Sequence, residues 1–180
     1  MLRSSIARVA DPHPGGALRR LNPDDLGDHL DRLYRAAWAL CGNRHEAEDL
    51  VQDTYAAVLA RPRFLRGSDD LGYLLRALRN TQVSRARARD RRPQTTELME
   101  RPDHRSRFEP GASDEVHALF DAIGDLPQDF REALVAIDLI GLSYREAARA
   151  LRVREATITT RVHRARLRVA AAMGDEEVAR

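Results

Sequence analysis

LIGLSYREAARALRVREATITTRVHRARLRVAAAM, residues Leu139 to Met173, decides how the second half of this chain folds. Gly141 suits the C′ position that closes a helix. Ser143 and Glu146 then make the S-x-x-E capping box that opens the next one. Ala147, Ala148 and Leu151 give that short helix an apolar side with two small residues, so a neighbour can pack close. Arg152-Val153-Arg154 reads as a tight turn. A longer helix follows, with Ile158, Val162, Ala165 and Val169 four, three and four residues apart on one buried stripe. Arg154 lies just before it, and Thr157, Thr159, Thr160, Arg161, Arg164 and Arg168 lie off that stripe. A short helix, a brief turn and a longer helix with an Arg/Thr face is helix-turn-helix spacing. Such a face can donate to phosphates and to base edges in a major groove. A solvated basic helix in an ordinary bundle would carry the same residues.

Working outward, the rest of the chain is helical with no persistent strand pattern. Asn22-Pro23-Asp24-Asp25 is a helix start, with Asn as N-cap, Pro at N1 and acids in the first turn. Leu26, Leu30, Leu33, Tyr34, Ala37 and Cys41 form its expected buried stripe, with Trp38 at the edge. A second helix is predicted from about His45 to Ala60, with Ala47, Leu50, Val51, Tyr55, Val58 and Leu59 inward. Asp49, Gln52 and Asp53 share its outer face, three and four residues apart, and Glu48 adds another acid. Arg61-Pro62 stops it. A short loop, Phe64–Asp70 (FLRGSDD), with Ser68 as a candidate N-cap, leads to a third helix with Leu71, Leu74, Leu75 and Leu78 inward. Beyond Asn80 that stripe gives way to Arg85, Arg87, Arg89, Arg91 and Arg92. The helix becomes a basic rod, ended by Pro93.

The expected organisation is all-α, with two small helical domains joined by a flexible linker. Residues 1–21 read as a mobile tail, 22–93 as a first helical bundle, 94–113 as linker, 114–174 as the helix-turn-helix domain and 175–180 as a frayed end. The linker assignment rests on polar composition with Pro102, Pro110 and Gly111. In the second domain Ser113 can cap a helix with Val116, Leu119, Phe120 and Ile123 inward. Another begins at Leu126-Pro127, with Phe130, Leu134, Ile137 and Ile140 inward. Each domain is small enough to bury only a modest core of its own.

The 180 residues carry 30 bases and 28 acids, a net charge of only +2. The near-balance hides segregation. Acids gather at 24–31, 46–53 and 114–132, and bases at 76–92 and 152–168. Blocks of opposite sign suit one surface for an anionic polymer and another for a different partner. Every base other than His is Arg, the residue suited to bidentate contact with phosphate and guanine. Cys41 is the only cysteine; it excludes an internal disulfide and a Cys-cluster metal site, fits a reducing compartment and continues an apolar stripe. No apolar run approaches the roughly 20 residues of a membrane span, and the N-terminus lacks the apolar core of a secretory signal. His45 with Glu46, Glu48, Asp49 and Asp53 lacks the second convergent cluster a carboxylate metal site needs. It reads as an acidic contact surface. No phosphate-binding loop, nucleophile elbow or zinc spacing is present. The expectation is a cytoplasmic protein without catalysis, metal or cofactor, and without membrane insertion.

Three stretches, in order, resemble the sigma factors of bacterial RNA polymerase, in the extracytoplasmic-function group that keeps only regions 2 and 4. They are AEDLVQD (Ala47–Asp53), FLRGSDDLGYLLRALRN (Phe64–Asn80), and the series LPQDFREAL, GLSYREAARAL and ATITTRVHRAR. The resemblance implies that Asp49, Gln52, Asp53 and Glu48 dock on the clamp helices of the polymerase β′ subunit. It implies that Phe64 and Asn80 meet a flipped base of the minus-ten element, with Arg76, Arg79, Arg85 and Arg87 along the strand. Aromatic stacking and amide readout are the chemistry such a base needs. It assigns Arg154, Thr157, Thr159, Thr160, Arg161, Arg164 and Arg168 to the minus-thirty-five element. Region 4 would meet the β flap, and an anti-sigma protein would cover the polymerase-facing surfaces. This chain departs from the family at the recognition helix. Gly-Thr-Val-Lys-Ser-Arg is common there, whereas EATITTR (Glu155–Arg161) loses a base and gains an acid. Tyr73 replaces the usual Trp, and Leu78 and Arg79 depart from the usual Ile-Ala-Arg run. The alternative is a helix-turn-helix regulator acting without polymerase, which leaves AEDLVQD and the FLRGSDD loop idle. A recombinase-type enzyme would need a nucleophilic Ser or Tyr and a larger catalytic domain.

Overall fold

The computed structural model describes residues 18–60, 64–66, 69–90 and 114–174. The linker, Ser68, Ser113, most of the N-terminal segment and residues 175–180 lie outside the described residues. Asn22 caps as expected, its side chain accepting from the Asp24 N–H at 3.3 Å. The turn it opens is a 3-10 helix, Pro23–His29, and the first α-helix, α1, runs only from Leu30 to Cys41. This corrects the expected stripe. At three residues per turn, Leu26 and Leu30 stand about 120° apart instead of sharing a face. Leu26 is buried, while Leu30 is 46% exposed.

Gly42 closes α1 in the left-handed region, φ 78°, where a side chain would be strained. The buried Asn43 side chain caps α2 (Arg44–Leu59), accepting from the Glu46 N–H at 2.8 Å. Leu50, Val51 and Val58 turn inward. Thr54 is also fully buried, its hydroxyl satisfied by the Leu50 carbonyl at 2.6 Å. Leu59 does not turn inward; it ends the helix and is 52% exposed.

Asp69 supplies the cap of α3 (Asp70–Asp90), accepting from the Gly72 N–H at 3.0 Å. Gly72 leaves room for that carboxylate, which a Cβ would displace. Leu74, Leu75 and Leu78 fill the core below.

The two short strands are new. Leu18–Arg20 (β1) pairs antiparallel with Phe64–Arg66 (β2), so the last residues of the expected tail are ordered. Three-residue strands are too short to show an alternating pattern in sequence. Leu21, just beyond β1, is buried.

In the second half, α4 (Asp114–Gly124) and α5 (Gln128–Leu134) lead into a π turn, Val135–Leu139. There the Ile140 N–H reaches the Val135 carbonyl at 2.9 Å, five residues back. Gly141 takes φ 83° and ends it. The capping box of Ser143 and Glu146 is fully formed on α6 (Tyr144–Leu151). Arg152 makes the turn in the left-handed region, φ 58°. The last helix, α7 (Glu155–Met173), buries Ile158, Val162 and Ala165 completely, with Val169 packed at the margin.

The two halves share one hydrophobic core instead of holding one each. α1 lies at the centre, against α2 and α3 on one side and α4, α5 and the π turn on the other, while α3 meets α6. Trp38 of α1 stacks on Phe120 of α4, with ring centroids 5.0 Å apart. A surface half-covered by another helix has no separate signature in the sequence, because either helix can complete the burial of an apolar stripe. Val116 and Leu119 of α4 stay more than a third exposed. No helix of the described residues is long and apolar enough to cross a membrane.

Candidate polymerase and nucleic-acid interfaces

α2 projects Glu48, Asp49, Gln52 and Asp53 into solvent, as their spacing predicts. None of them is spent on the core; the Asp49 side chain is 63% exposed. Their charge is partly matched from the neighbouring helix. Arg85 of α3 approaches Asp49 at 3.4 Å and Asp53 at 3.7 Å, and Arg89 reaches Glu46 at 3.2 Å. Arg44 pairs with Glu48 one turn on, at 2.7 Å. Glu48 and Gln52 also line a shallow groove between α1 and α2, with Leu30, Asp31, Tyr34, Val51 and Tyr55. The exposure of Leu30 belongs to this groove, and the ridge is therefore mixed apolar, amide and acid.

The minus-ten candidates divide. Phe64 on β2 is 64% exposed, and Asn80 on α3 is exposed. Asn80 lies ten residues beyond Asp70, or about 15 Å along the helix axis. Asp70 is the residue that ties the ribbon to α3, through its ion pair with Arg19. Arg87 is exposed and Arg76 half-buried. Arg85 faces the α2 acids, as above. Arg79 crosses to the second half, where its Nε donates to Glu132 at 2.8 Å. Glu132 is only 5% exposed and also accepts from Gln128 at 2.9 Å. The resemblance gives Arg79 and Arg85 to DNA; the acids that face them here come from other helices, and Glu132 lies 53 residues away.

On α7, Arg154, Thr159, Thr160, Arg164 and Arg168 are exposed, and Thr157 and Arg161 half-buried. The threonine hydroxyls fold back on their own helix: Thr159 to the Glu155 carbonyl at 3.2 Å and Thr160 to Ala156 at 3.0 Å. Three arginines brace α7 against the preceding elements. Arg161 pairs with Asp129 of α5. Arg168 lies over the Phe130 ring, 4.8 Å from its centroid. Arg166 forks onto Asp138 of the π turn at 2.6 and 3.0 Å, and that carboxylate raises its pKa. Arg154 and Arg164 have no ion pair among the described residues. Arg166 was not singled out from sequence. Its signal would have been the match of an acid before the helix-turn-helix with a base late in it.

A second arginine locks the seam. Arg131 of α5 is half-buried, and burial lowers its pKa. Its guanidinium donates to the carbonyls of Gly124, of Leu126 at 2.9 Å and of Leu40 at 3.5 Å. Leu40 also accepts from Gln82 of α3 at 3.0 Å. Beside it, burial pushes the Cys41 thiol up to about 12. That makes it a packing residue, since a thiol reacts through its thiolate. At the top of α3, Asp69 is raised by burial and then by Glu146 of α6.

Residues 26–92 match the family model of sigma-70 region 2, and residues 117–169 that of sigma-70 region 4. The chain is 35% identical over 150 residues to the ECF RNA polymerase sigma factor SigE of Mycolicibacterium smegmatis. That match covers 77% of this chain and 56% of SigE, so the chain spans little more than half of that relative. It is 34% identical over 153 residues to the ECF RNA polymerase sigma factor EcfG of Rhodopseudomonas palustris, covering 82% of each. Among solved structures it is similar to the sigma factor RpoE of Bartonella quintana, seen in complex with the anti-sigma factor NepR. The TM-score is 0.69 at 29% identity, over 86% of this chain and 97% of that one. CnrH, in complex with the cytosolic domain of CnrY, shares the fold at a TM-score of 0.57 and 23% identity, over 86% and 88% of the two chains. With both regions matched in order and relatives aligned across both, the chain belongs to the extracytoplasmic-function group of the sigma-70 family.

Proposed function

We propose that the chain is a cytoplasmic sigma subunit that directs core RNA polymerase to promoters and contributes no catalysis or cofactor of its own. The observation that carries the reading is the pair of unlike exposed ridges on one chain. One is acid and amide on α2, the other arginine and threonine on the second helix of a helix-turn-helix. A DNA-binding regulator needs only the second. In this reading residues 22–93 form the unit that docks on the β′ clamp helices through Glu48, Asp49, Gln52 and Asp53. The same unit captures an unpaired minus-ten base with Phe64 and Asn80, and Arg76 and Arg87 follow the strand. Residues 114–174 meet the β flap and read the minus-thirty-five element, chiefly through Arg154 and Arg164. Melting is driven by trapping the flipped base, with no hydrolysis step.

The two elements lie about 25 base pairs apart, or roughly 85 Å of duplex. A compact chain of this length is about 40 Å across. The halves must therefore part on the promoter, with residues 94–113 as tether. Parting frees Arg79 from Glu132 for the strand, and the arrangement described above is the resting one. Because RpoE is seen with an anti-sigma factor, we extend the same kind of partner to this chain, holding the halves together.

The test is run-off transcription from promoters mapped by transcript start sites after overexpression. With core polymerase and this chain, promoter-specific transcripts are expected above core alone. Their absence, with retained DNA binding, favours the regulator that works without polymerase.

A further inference from the structure

We propose that the β1–β2 ribbon is itself a binding element for the unpaired promoter strand, with Arg20 holding a phosphate beside the base that stacks on Phe64. The inference rests on the minus-ten reading above and adds a residue and a strand to it. In the antiparallel register Arg20 stands opposite Phe64, Arg19 opposite Leu65 and Leu18 opposite Arg66. Directly opposed residues share a face, and successive ones alternate. Arg19 and Leu65 take the inner face: Arg19 is spent on the buried Asp70, and Leu65 packs on the core. Leu18, Arg20 and Phe64 therefore share the outer face, and all three are exposed. Leu18 and Phe64 are each 64% exposed. The ribbon is anchored at the middle of β1 and just beyond its end, yet presents an aromatic ring, an aliphatic chain and a guanidinium to solvent. Leu21 is buried on one side, and Arg19 pairs with Asp70 on the other.

The chemistry of that face selects its occupant. A ring next to a cation matches the repeating base and phosphate of a single strand, where stacking and charge act together. Arg20 forms no ion pair among the described residues, so its charge is available to an anion. The three described side chains of this face are too small a patch for a stable protein partner, which needs about 800 Å² a side. Duplex DNA fits poorly, because its base faces are already stacked.

The experiment uses the full chain assembled with core polymerase. Its probe is a forked duplex whose single-stranded arm carries the nontemplate strand of a promoter mapped as above. Fully duplex DNA and core polymerase are titrated alongside. Arg20→Ala should weaken forked-probe binding about five- to tenfold, and Arg20→Glu more. Arg20→Lys should stay within about twofold, since a point charge still meets a phosphate. The salt dependence of Arg20→Ala should fall by about 0.7 in log–log slope, the value of one phosphate on a single strand. Affinity for core polymerase should not change. The proposal is overturned if the Arg20 variants bind the fork like wild type while Phe64→Ala and Asn80→Ala weaken it. In that case the minus-ten reading survives alone. It is equally overturned if Arg20→Ala weakens core binding and spares the fork, which would make the ribbon a protein contact. If Phe64, Asn80 and Arg20 variants all bind normally, both readings fail together.

Discussion

α3 and α7 are both long helices crowded with arginine, yet they use it differently. On α3 the bases turn toward acids on other helices: Arg85 to Asp49 and Asp53, Arg89 to Glu46, and Arg79 to the buried Glu132 across the seam. On α7 the bases are sorted by height and face. Arg161, Arg166 and Arg168 brace the helix against α5 and the π turn, while Arg154 and Arg164 flank the solvent side. The same residue type at similar density is thus partly bracing and partly left to solvent on α7, while Arg79, Arg85 and Arg89 of α3 are held in pairs that another partner would have to replace. Counting arginines along a helix does not separate these roles. The acid that meets each one does.

The largest expected effect tests the sorting on α7. Changing Arg154 and Arg164 together to Ala should lower affinity for promoter duplex about a hundredfold, at roughly 1–3 kcal/mol for each contact. The Arg161→Ala and Arg166→Ala variants should lose less than about threefold in a mobility-shift titration. Their cost should appear instead as a drop of about 1–2 °C in melting temperature, as exposed pairs contribute little. Equal loss of DNA affinity in both sets would erase the distinction between brace and reader.

The next effect contrasts two pairs made by α3. Arg79→Ala leaves the carboxylate of Glu132 buried with Gln128 as its remaining hydrogen-bond donor among the described residues. Urea unfolding should register about 1–2 kcal/mol of lost stability, discounted because Arg79 itself is partly exposed. Arg85→Ala breaks pairs that water already screens and should cost less than about 0.5 kcal/mol. A larger loss at Arg85 than at Arg79 would mean that the seam between the halves is weaker than its geometry implies.

The smallest effect concerns the top of that seam. Burial and then Glu146 raise the Asp69 pKa above its ordinary 3.8, so the folded chain holds this proton more tightly than the unfolded one. The group's stabilising contribution is present below pH 3.8 and lost as pH rises through the higher folded value. Asp69→Asn should keep the cap, because Asn caps as well as Asp, and should melt about 1–2 °C higher than wild type at pH 7. The gap should close toward pH 4. A constant gap across that range would refute the electrostatic cause.

These cases show which parts of the molecule could be read in advance. The capping box at Ser143, the glycine turn at Gly141 and the stripe of Ile158 and Val162 are local, so spacing alone predicts them. The exposed ridge of Asp49, Gln52 and Asp53 was legible for the same reason. The 3-10 turn before Leu30 was not, because its Asn-Pro-Asp-Asp start is equally that of an α-helix. Nor was the pairing of Leu18–Arg20 with Phe64–Arg66, which joins segments more than forty residues apart. Arg79, Arg131 and Arg166 took their structural partners from distant acids and carbonyls, and no helical period encodes those meetings.

The π turn at Val135–Leu139 carries one residue more than an α-helix would use over the same span. Each helical residue turns the chain by about 100°. Were that surplus residue wound into an ordinary α turn, everything after it would swing through nearly a third of a revolution. α6 and α7 would keep their internal packing and still aim Arg154 and Arg164 in the wrong direction. The azimuth of α7 is therefore set by how a single surplus amino acid is wound, upstream of every residue proposed to read the minus-thirty-five element.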